Sequence, residues 1–399
     1  MPEEPSLYKI INRKKLYATM VADVVGNLVY LPSSLLKRRE EIRPGSVKEI
    51  LLIRTAYIGD VVMTLPVLKP LSERFPGARI TFLTSRGAEG VLTNNPYVDE
   101  ILTHDPFWFY PGGKSGYREF MRSLKERAFD LVIEARGDIR ELLFLVRPIK
   151  ARYKVSYDVG GGGYLLTHVV PYGGVKHKVE YHLDIARFLG CEVKEPPEAE
   201  IYLTDSEKKR AASILEDAGI RGEEFVALHP GGRKPLKCWP HERYAEVADR
   251  VAEEFGMPVV LTGTPAELGL AERVRGAMRN KPVVLAGKTD LRGLAGVLSR
   301  ARLLVANDSS PMHIAAAVKT AVVALFGPSK SVETAPWGEG HVVVEKDFPC
   351  RARCDEDVCK FVHHNQCMKD IKVEDVFSAL RAVLKAKRDD GKKRQKTLH

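Results

Sequence analysis

The stretch that decides the fold is RLLVANDSSPMHIAAAVKTAVVALF, residues 302–326. Arg302 to Ala306 reads as a short, mostly apolar strand, Ala321 to Phe326 as a second, and Pro311 to Val318 between them as a helix. Continuous apolar strands separated by a helix belong to a parallel sheet covered on both faces. The turn Asn307-Asp308-Ser309-Ser310-Pro311-Met312-His313 leads from the strand into the helix. It therefore places backbone N–H groups at the positive end of that helix, a ready site for an anion such as a diphosphate. Pro311 suits the first helical position, and Ser309 or Ser310 can cap it. His313 falls in the first turn, next to whatever is bound there. The plainer reading of the same residues is a capped helix with one satisfied histidine.

The same alternation extends in both directions. In the second half, strands are expected at Phe225–His229, Pro258–Thr262 and Pro282–Ala286, besides the two already named, with helices near 240–255, 266–278 and 291–300. In the first half, Glu49–Ile53 begins a series continued by Arg79–Thr84, Val98–Leu102 and Leu131–Glu134, with a helix from about Asp60 to Phe75. Residues 105–117 form an aromatic loop containing Gly112-Gly113, and Gly160 to Gly163 is a second loop. Glu195 to Glu200 (EPPEAE) reads as a linker. Expected boundaries are an arm over 1–46, a first domain over 47–195, a second over 200–345, and a cysteine cluster, helix and basic tail over 346–399. Two parallel-sheet domains in tandem imply a cleft, and ligands of such sheets bind beyond the carboxyl ends of the strands.

The chain has 399 residues, enough for two cores, with 44% hydrophobic and 29% charged residues. Of the formal +10, residues 1–46 carry +3 (eight Lys/Arg against five acids) and residues 385–399 carry +5 (seven against two). The body is nearly neutral. A nucleic-acid protein would spread its charge along a groove interleaved with aromatics, so no nucleic-acid partner is expected. Basic ends suit an anionic membrane face. Residues 16–36 are too rich in Asp23, Gly26, Asn27 and Pro32 to cross a bilayer. Leu16, Met20, Val24, Leu28 and Leu31 recur at helical spacing, with Thr19, Asp23 and Asn27 on another face. That pattern fits a helix lying in a membrane interface or packed on its own protein. A cytoplasmic protein touching the inner membrane is expected. Cys350, Cys354, Cys359 and Cys367 cluster in the pattern C-x3-C-x4-C-x7-C, irregular for a zinc finger. In a reducing compartment they suggest a structural metal, zinc being the usual one, rather than disulfides.

Three strand ends carry chemistry. Arg54 to Asp60 (RTAYIGD) turns from strand into helix at Gly59. Asp60 either accepts a proton from a substrate hydroxyl or serves as a helix cap. A helix N-terminus favours the ionised carboxylate and makes it a weak base, so the proton must move as the transition state forms. His229-Pro230-Gly231-Gly232 ends another strand, followed by Arg233, Lys234, Lys237 and Trp239-Pro240. Gly231 and Gly232 let backbone approach an oxyanion that the cations neutralise. Thr262-Gly263-Thr264-Pro265 with Glu267 is a third strand-end turn. Neither a P-loop nor a G-x-G-x-x-G after the first strand is present, which disfavours a nicotinamide enzyme.

Three segments, ILLIRTAYIGDVVMTLPVLKPL (50–71), LHPGGRKPLKCWPHERYAEVA (228–248) and NDSSPMHIAAAVKTAVVALFGPS (307–329), together resemble glycosyltransferase family 9, the ADP-heptose:lipopolysaccharide heptosyltransferases and their relatives. The resemblance runs from about residue 48 to 380. It implies an α/β fold of GT-B type, two Rossmann-like doubly wound parallel-sheet domains facing a central cleft, and an inverting transfer without a catalytic metal or other cofactor. It implies that Asp60 is the base that deprotonates the acceptor hydroxyl and that Lys237, in a K-x-W-P motif, contacts the donor phosphates. Gly231, Asp308, Ser309 and His313 would line the donor site, and Glu267 would stand near the nucleoside ribose. The donor would be ADP-heptose or another nucleotide sugar, and the acceptor a lipopolysaccharide-core or related lipid-linked glycan. A non-catalytic nucleotide- or glycan-binding protein on the same fold is the alternative. Ser310 stands where the family usually has Gly, and its Cβ would crowd the diphosphate turn. Some family members carry a cysteine cluster, usually beginning C-x2-C, whereas this one begins C-x3-C.

Overall fold

A computed structural model of the protein describes residues 13–36, 40–110, 116–195, 197–354 and 356–396. Lys37-Arg38-Arg39, Gly112-Gly113 of the aromatic loop, Pro196 of the linker and residues 397–399 of the basic tail lie outside the described residues, as do the side chains of 387–396.

The chain divides into two compact units, Met1–Pro197 and Glu198–His399. The first is built on strands β1 (Glu49–Arg54), β2 (Arg79–Thr84), β3 (Glu100–Thr103), β4 (Phe129–Glu134), β5 (Ala151–Ser156) and β6 (His168–Val169). All pair in parallel, in the order β3-β2-β1-β4-β5-β6. The second contains β7 (Val226–His229), β8 (Val259–Leu261), β9 (Val283–Val284), β10 (Leu303–Asn307), β11 (Ala321–Phe326) and β12 (Val342–Glu345). Its order is β12-β11-β10-β7-β8-β9, again all parallel. Each unit thus starts in mid-sheet, grows to one side, and returns to grow on the other. The reversal falls between β1 and β4 in one unit and between β7 and β10 in the other. Crevices at such switch points are where ligands bind in doubly wound sheets.

The central strands are buried because helices cover both faces. Every residue of β7, β10 and β11 is buried, and each such Leu, Val or Ile contributes about 1.5–3 kcal/mol. The outer strands differ. β5 reads ARYKVS, with Arg152 exposed and Lys154 half-buried, and β6 and β12 lie at sheet edges. β5 alternates charged and apolar residues, β6 has only two residues, and the apolar run of β12 is only three valines long. The expected long helix from Asp60 to Phe75 is instead broken into Ile58–Val62, a turn at Leu65–Val67 and Leu68–Arg74. Pro66 is the second residue of that turn, where its missing N–H leaves no helical bond unmade. Residues beyond β12 end in the helix Val373–Lys396, whose Val376, Phe377, Leu380 and Leu384 join the core of the second unit.

Candidate functional site

At the switch point of the first unit, β1 delivers Arg54 and the short helix Ile58–Val62 carries Asp60 in its first turn. Arg54 Nη2 donates to Asp60 Oδ1 at 2.9 Å, and Lys178 Nζ donates to the same oxygen at 3.0 Å. Lys178 opens the helix Lys178–Phe188, a full 118 residues away in sequence. Burial works against the Asp60 charge, but Lys178, Arg54 and Arg136 outweigh it and hold the carboxyl far below the usual carboxylate range. The anticipated weakness of this base thus has a stronger cause than a helix terminus. Gly59 lies within the helix and is not a left-handed residue.

Two further features surround Asp60. His182, one turn after Lys178, is buried with its Nδ1 3.0 Å from the Met63 carbonyl. Burial, followed by the nearby Arg54 charge, pushes its pKa down to about 3, so it is neutral. Glu134, at the end of β4, accepts from Gly137 N, Arg136 N and Ser156 Oγ, while Glu141 accepts from Thr55 Oγ1. Both carboxyls are fully buried, and burial together with the adjacent Glu141 raises Glu134 well above the ordinary carboxylate range. In the aromatic loop, Tyr110 donates to the Ala56 carbonyl of the same turn, and Arg136 and Arg140 lie 4.3 and 4.8 Å from the centre of the Phe109 ring.

The second unit repeats the layout with different chemistry. His229 ends β7, and Asn307 ends β10. The fully buried Asn307 amide donates to the carbonyls of Pro230 and Gly231 and accepts from Trp239 N and Tyr244 Oη. One side chain therefore ties β10 to the Pro-Gly-Gly turn and to the K-x-W-P segment. Lys237 Nζ reaches Asp308 Oδ2 at 2.7 Å and Glu356 Oε2 at 3.0 Å. Burial alone would lower the Lys237 pKa, but the two carboxylates outweigh it and raise it, so the ammonium persists. Lys234 also reaches Glu356, at 3.4 Å, and Asp357, at 3.1 Å.

The following helix spans Ser310–Ala317, with Ser309 in the cap position and Pro311 second. Ser309 does not cap it: its hydroxyl donates backward to the Asn307 carbonyl. The helix begins without a side-chain cap, leaving N–H groups for another acceptor. His313 is buried in its first turn. Glu267 accepts from Thr264 N and Thr264 Oγ1 and lies 3.8 Å from His229 Nε2. It packs so closely on Gly231 that a Cβ there would come within 2.2 Å of its carboxylate and would push that side chain aside. The fold thus brings Gly231, Lys237, Glu267, Asp308, Ser309 and His313 to one switch point. Asp60 stands at the other.

All six cysteines are free. Cys350, Cys354, Cys359 and Cys367 line one cavity of about 290 Å³, together with Leu236, Phe348 and Phe361. Among the described residues no three His, Cys, Asp or Glu side chains are grouped to hold a metal ion. Sequence reasoning missed Lys178, His182, Asn307 as a clamp, and Glu356. Only Asn307 stood inside a recognised motif.

Two Rossmann-like units in one chain, with cations and a helix N-terminus gathered at one switch point and a carboxylate at the other, define a glycosyltransferase of GT-B type. The chain belongs to glycosyltransferase family 9, the heptosyltransferase family, whose model matches residues 117–363. It is similar to lipopolysaccharide heptosyltransferase 3 of Escherichia coli K12, with 29% identity covering 82% of this chain and 96% of that one. It is also similar to lipooligosaccharide heptosyltransferase 2 of Campylobacter jejuni, with 31% identity over 82% and 96% of the two chains. Among solved structures, the family 9 glycosyltransferase of Veillonella parvula shares the fold, with a TM-score of 0.72, 24% identity, and coverage of 84% and 97%.

Proposed function

We propose that this enzyme transfers a heptose from ADP-heptose to a lipopolysaccharide-core or related lipid-linked glycan, with inversion at the anomeric carbon. The observation that carries the reading is the Lys237–Asp308 pair beside the uncapped helix Ser310–Ala317. The heptosyltransferase names of its relatives support the sugar.

The donor diphosphate lies against Lys237 and the N–H groups of that helix, with Gly231, Ser309 and His313 around it and Glu267 toward the ribose. As the bond from the anomeric carbon to the diphosphate oxygen breaks, negative charge grows on the departing ADP. Lys237 and the aligned amides oppose that charge, so the reading assigns no step to a metal. The acceptor hydroxyl oxygen attacks the anomeric carbon from the opposite face, and its proton passes to Asp60. The products are ADP and an inverted glycoside. Asp60 is a weak base at rest, but attack makes the hydroxyl strongly acidic, so a weak base suffices once the new bond is forming. Lys178 and Arg54 keep the carboxylate ionised and aimed.

The test is transfer by the Asp60→Ala enzyme. A fall in kcat of roughly 10²–10⁴-fold with ADP affinity retained is expected; unchanged turnover would overturn the assignment. A thermal-shift screen of nucleotide sugars checks the donor, because a ligand of the folded state raises its melting temperature. A larger shift from a nucleotide sugar other than ADP-heptose would replace the proposed donor.

The lipid-linked acceptor suits a further feature of the first unit. In the helix Arg13–Leu36, Asp23 accepts from Gly162 N at 2.8 Å, and Gly26 sits on the Tyr164 ring, where a Cβ would approach to 2.3 Å. The side bearing Thr19, Asp23 and Gly26 is therefore turned toward the protein, while Asn27 stays exposed. Tyr17, Met20, Val21, Val24, Val25, Leu28 and Val29 point outward, 44–69% exposed. Among the described residues no helix is long and apolar enough to cross a membrane. An apolar stripe flanked by Lys14-Lys15 and Lys37-Arg38-Arg39 fits the surface of an anionic bilayer, here the cytoplasmic face of the inner membrane. Flotation with anionic vesicles should be lost in a Val21→Asp/Val25→Asp variant; undiminished flotation would remove this part of the reading.

A further inference from the structure

Lys237 is gripped by two carboxylates from different parts of the second unit, and they are not equivalent. Asp308 follows β10, its side chain is 8% exposed, and its backbone N–H donates to the Leu325 carbonyl. Glu356 lies in the irregular segment after β12, its side chain is 26% exposed, and its backbone takes a left-handed φ of 65° that side-chain-bearing residues rarely adopt. The same Glu356 oxygen also reaches Lys234. Two ammonium groups thus meet three carboxylates: Asp308, Glu356 and Asp357. A diphosphate added to that set would meet net negative charge. Removing Glu356 and Asp357 leaves two cations against one anion.

We propose that Glu356 is a stand-in for the donor diphosphate: its carboxylate occupies Lys237 and Lys234 in the nucleotide-free enzyme and is displaced when the donor binds. This rests on the reading that Lys237 contacts the donor phosphates. Asp308 stays, orienting the Lys237 ammonium, and Glu356 departs with Asp357. The segment that carries the acidic pair is anchored on both sides of it. Buried Cys367 and Met368 hold it after the acidic pair, Phe348 packs on Phe361, and Asn365 N donates to Cys359 Sγ. Beneath it lies the cysteine-lined cavity, whose wall includes Leu236, the neighbour of Lys237. Glu356 thereby sets donor affinity: the enzyme binds ADP only in the fraction of molecules whose lysines are released.

ADP titrated calorimetrically into the full chain tests this, with each variant's melting temperature recorded. Glu356→Gln should tighten ADP about five- to tenfold, as expected if roughly 10–20% of wild-type molecules are binding-competent. It should lower the donor KM similarly without raising kcat. Glu356→Asp should stay near wild type, and Asp308→Asn should weaken ADP. Should Glu356→Gln bind ADP as wild type does, or more weakly, the proposal fails; Glu356→Ala guards against an artefact of the glutamine. Lys237→Met separates this failure from that of its premise. If Lys237→Met binds ADP undiminished, the donor assignment itself is wrong.

Discussion

The carboxyl ends of β1 and β4 and those of β7 and β10 are the same place in the same topology, yet the charged group gripped at the centre of each has the opposite sign. In the first unit one carboxylate, Asp60, is held by Lys178 and Arg54. In the second one ammonium, Lys237, is held by Asp308 and Glu356. The doubly wound sheet decides where a ligand binds; the side chains at the turns decide which sign of charge it meets. On the proposed reading, the second unit supplies cations for the leaving diphosphate once Glu356 and Asp357 withdraw, and the first a proton acceptor for the incoming alcohol.

The largest effect that could break this comparison is at Asn307. Asn307→Leu strands the Pro230 and Gly231 carbonyls and the Trp239 N–H, and leaves the Tyr244 hydroxyl only its longer 3.4 Å bond to the His229 carbonyl. The expected loss is about 3–6 kcal/mol, visible as a fall of roughly ten degrees in melting temperature and a loss of ADP binding. Lys178→Met comes next. It takes one of the two cations in direct contact with Asp60 and should cost about 1.5–3 kcal/mol, with a lower kcat but unchanged ADP affinity. If ADP binding weakens as much as turnover, the two switch points are not divided by role.

Smaller effects lie in pH. The depressed Asp60 carboxyl stabilises the fold fully above its unfolded pKa of about 3.9, and this contribution is lost progressively as pH falls below that value toward the folded-state one. With His182 pushed down to about 3, neither group should give the pH–rate profile a limb between pH 5 and 8. A limb near pH 6 traced to His182 by mutation would contradict the burial argument. Glu134 has the opposite sign. Its raised carboxyl contributes stability that is complete below about pH 4.3 and declines as pH rises through the folded-state value. Glu141→Gln removes the neighbouring charge, so melting temperatures measured from pH 4 to 8 should decline less steeply than in wild type. The smallest expected effect is Ser310→Gly, a change of ADP affinity within about threefold, because Ser310 is already accommodated as the first residue of its helix. A gain beyond tenfold would show that its Cβ does crowd the phosphate turn.

Legibility followed the range of the interactions. β10, the helix after it and β11 could be read almost to the residue, because continuous apolar strands and a proline near the helix start are local signals. β5 was missed because charged residues alternate along it, and β6 and β12 because edge strands of two to four residues need little apolar surface. Of the candidate site, Asp60, Gly231, Asp308 and Ser309 were visible in turns at strand ends, and the donor-site expectation for Lys237 and His313 came with the family resemblance. Ser309 shows the limit: the cap position was legible, but its hydroxyl turns back to the Asn307 carbonyl, which no propensity reveals.

Sequence alone determined two parallel-sheet halves, the family, and the turns on which the chemistry stands, because backbone periodicity and turn residues act over a few positions. Tertiary structure decided the partners: Lys178 reaching Asp60 across 118 residues, Asn307 spanning two turns, and Glu356 meeting Lys237. Such contacts depend on the order in which strands assemble in the sheet, and an ion pair leaves no periodic trace in the chain that forms it.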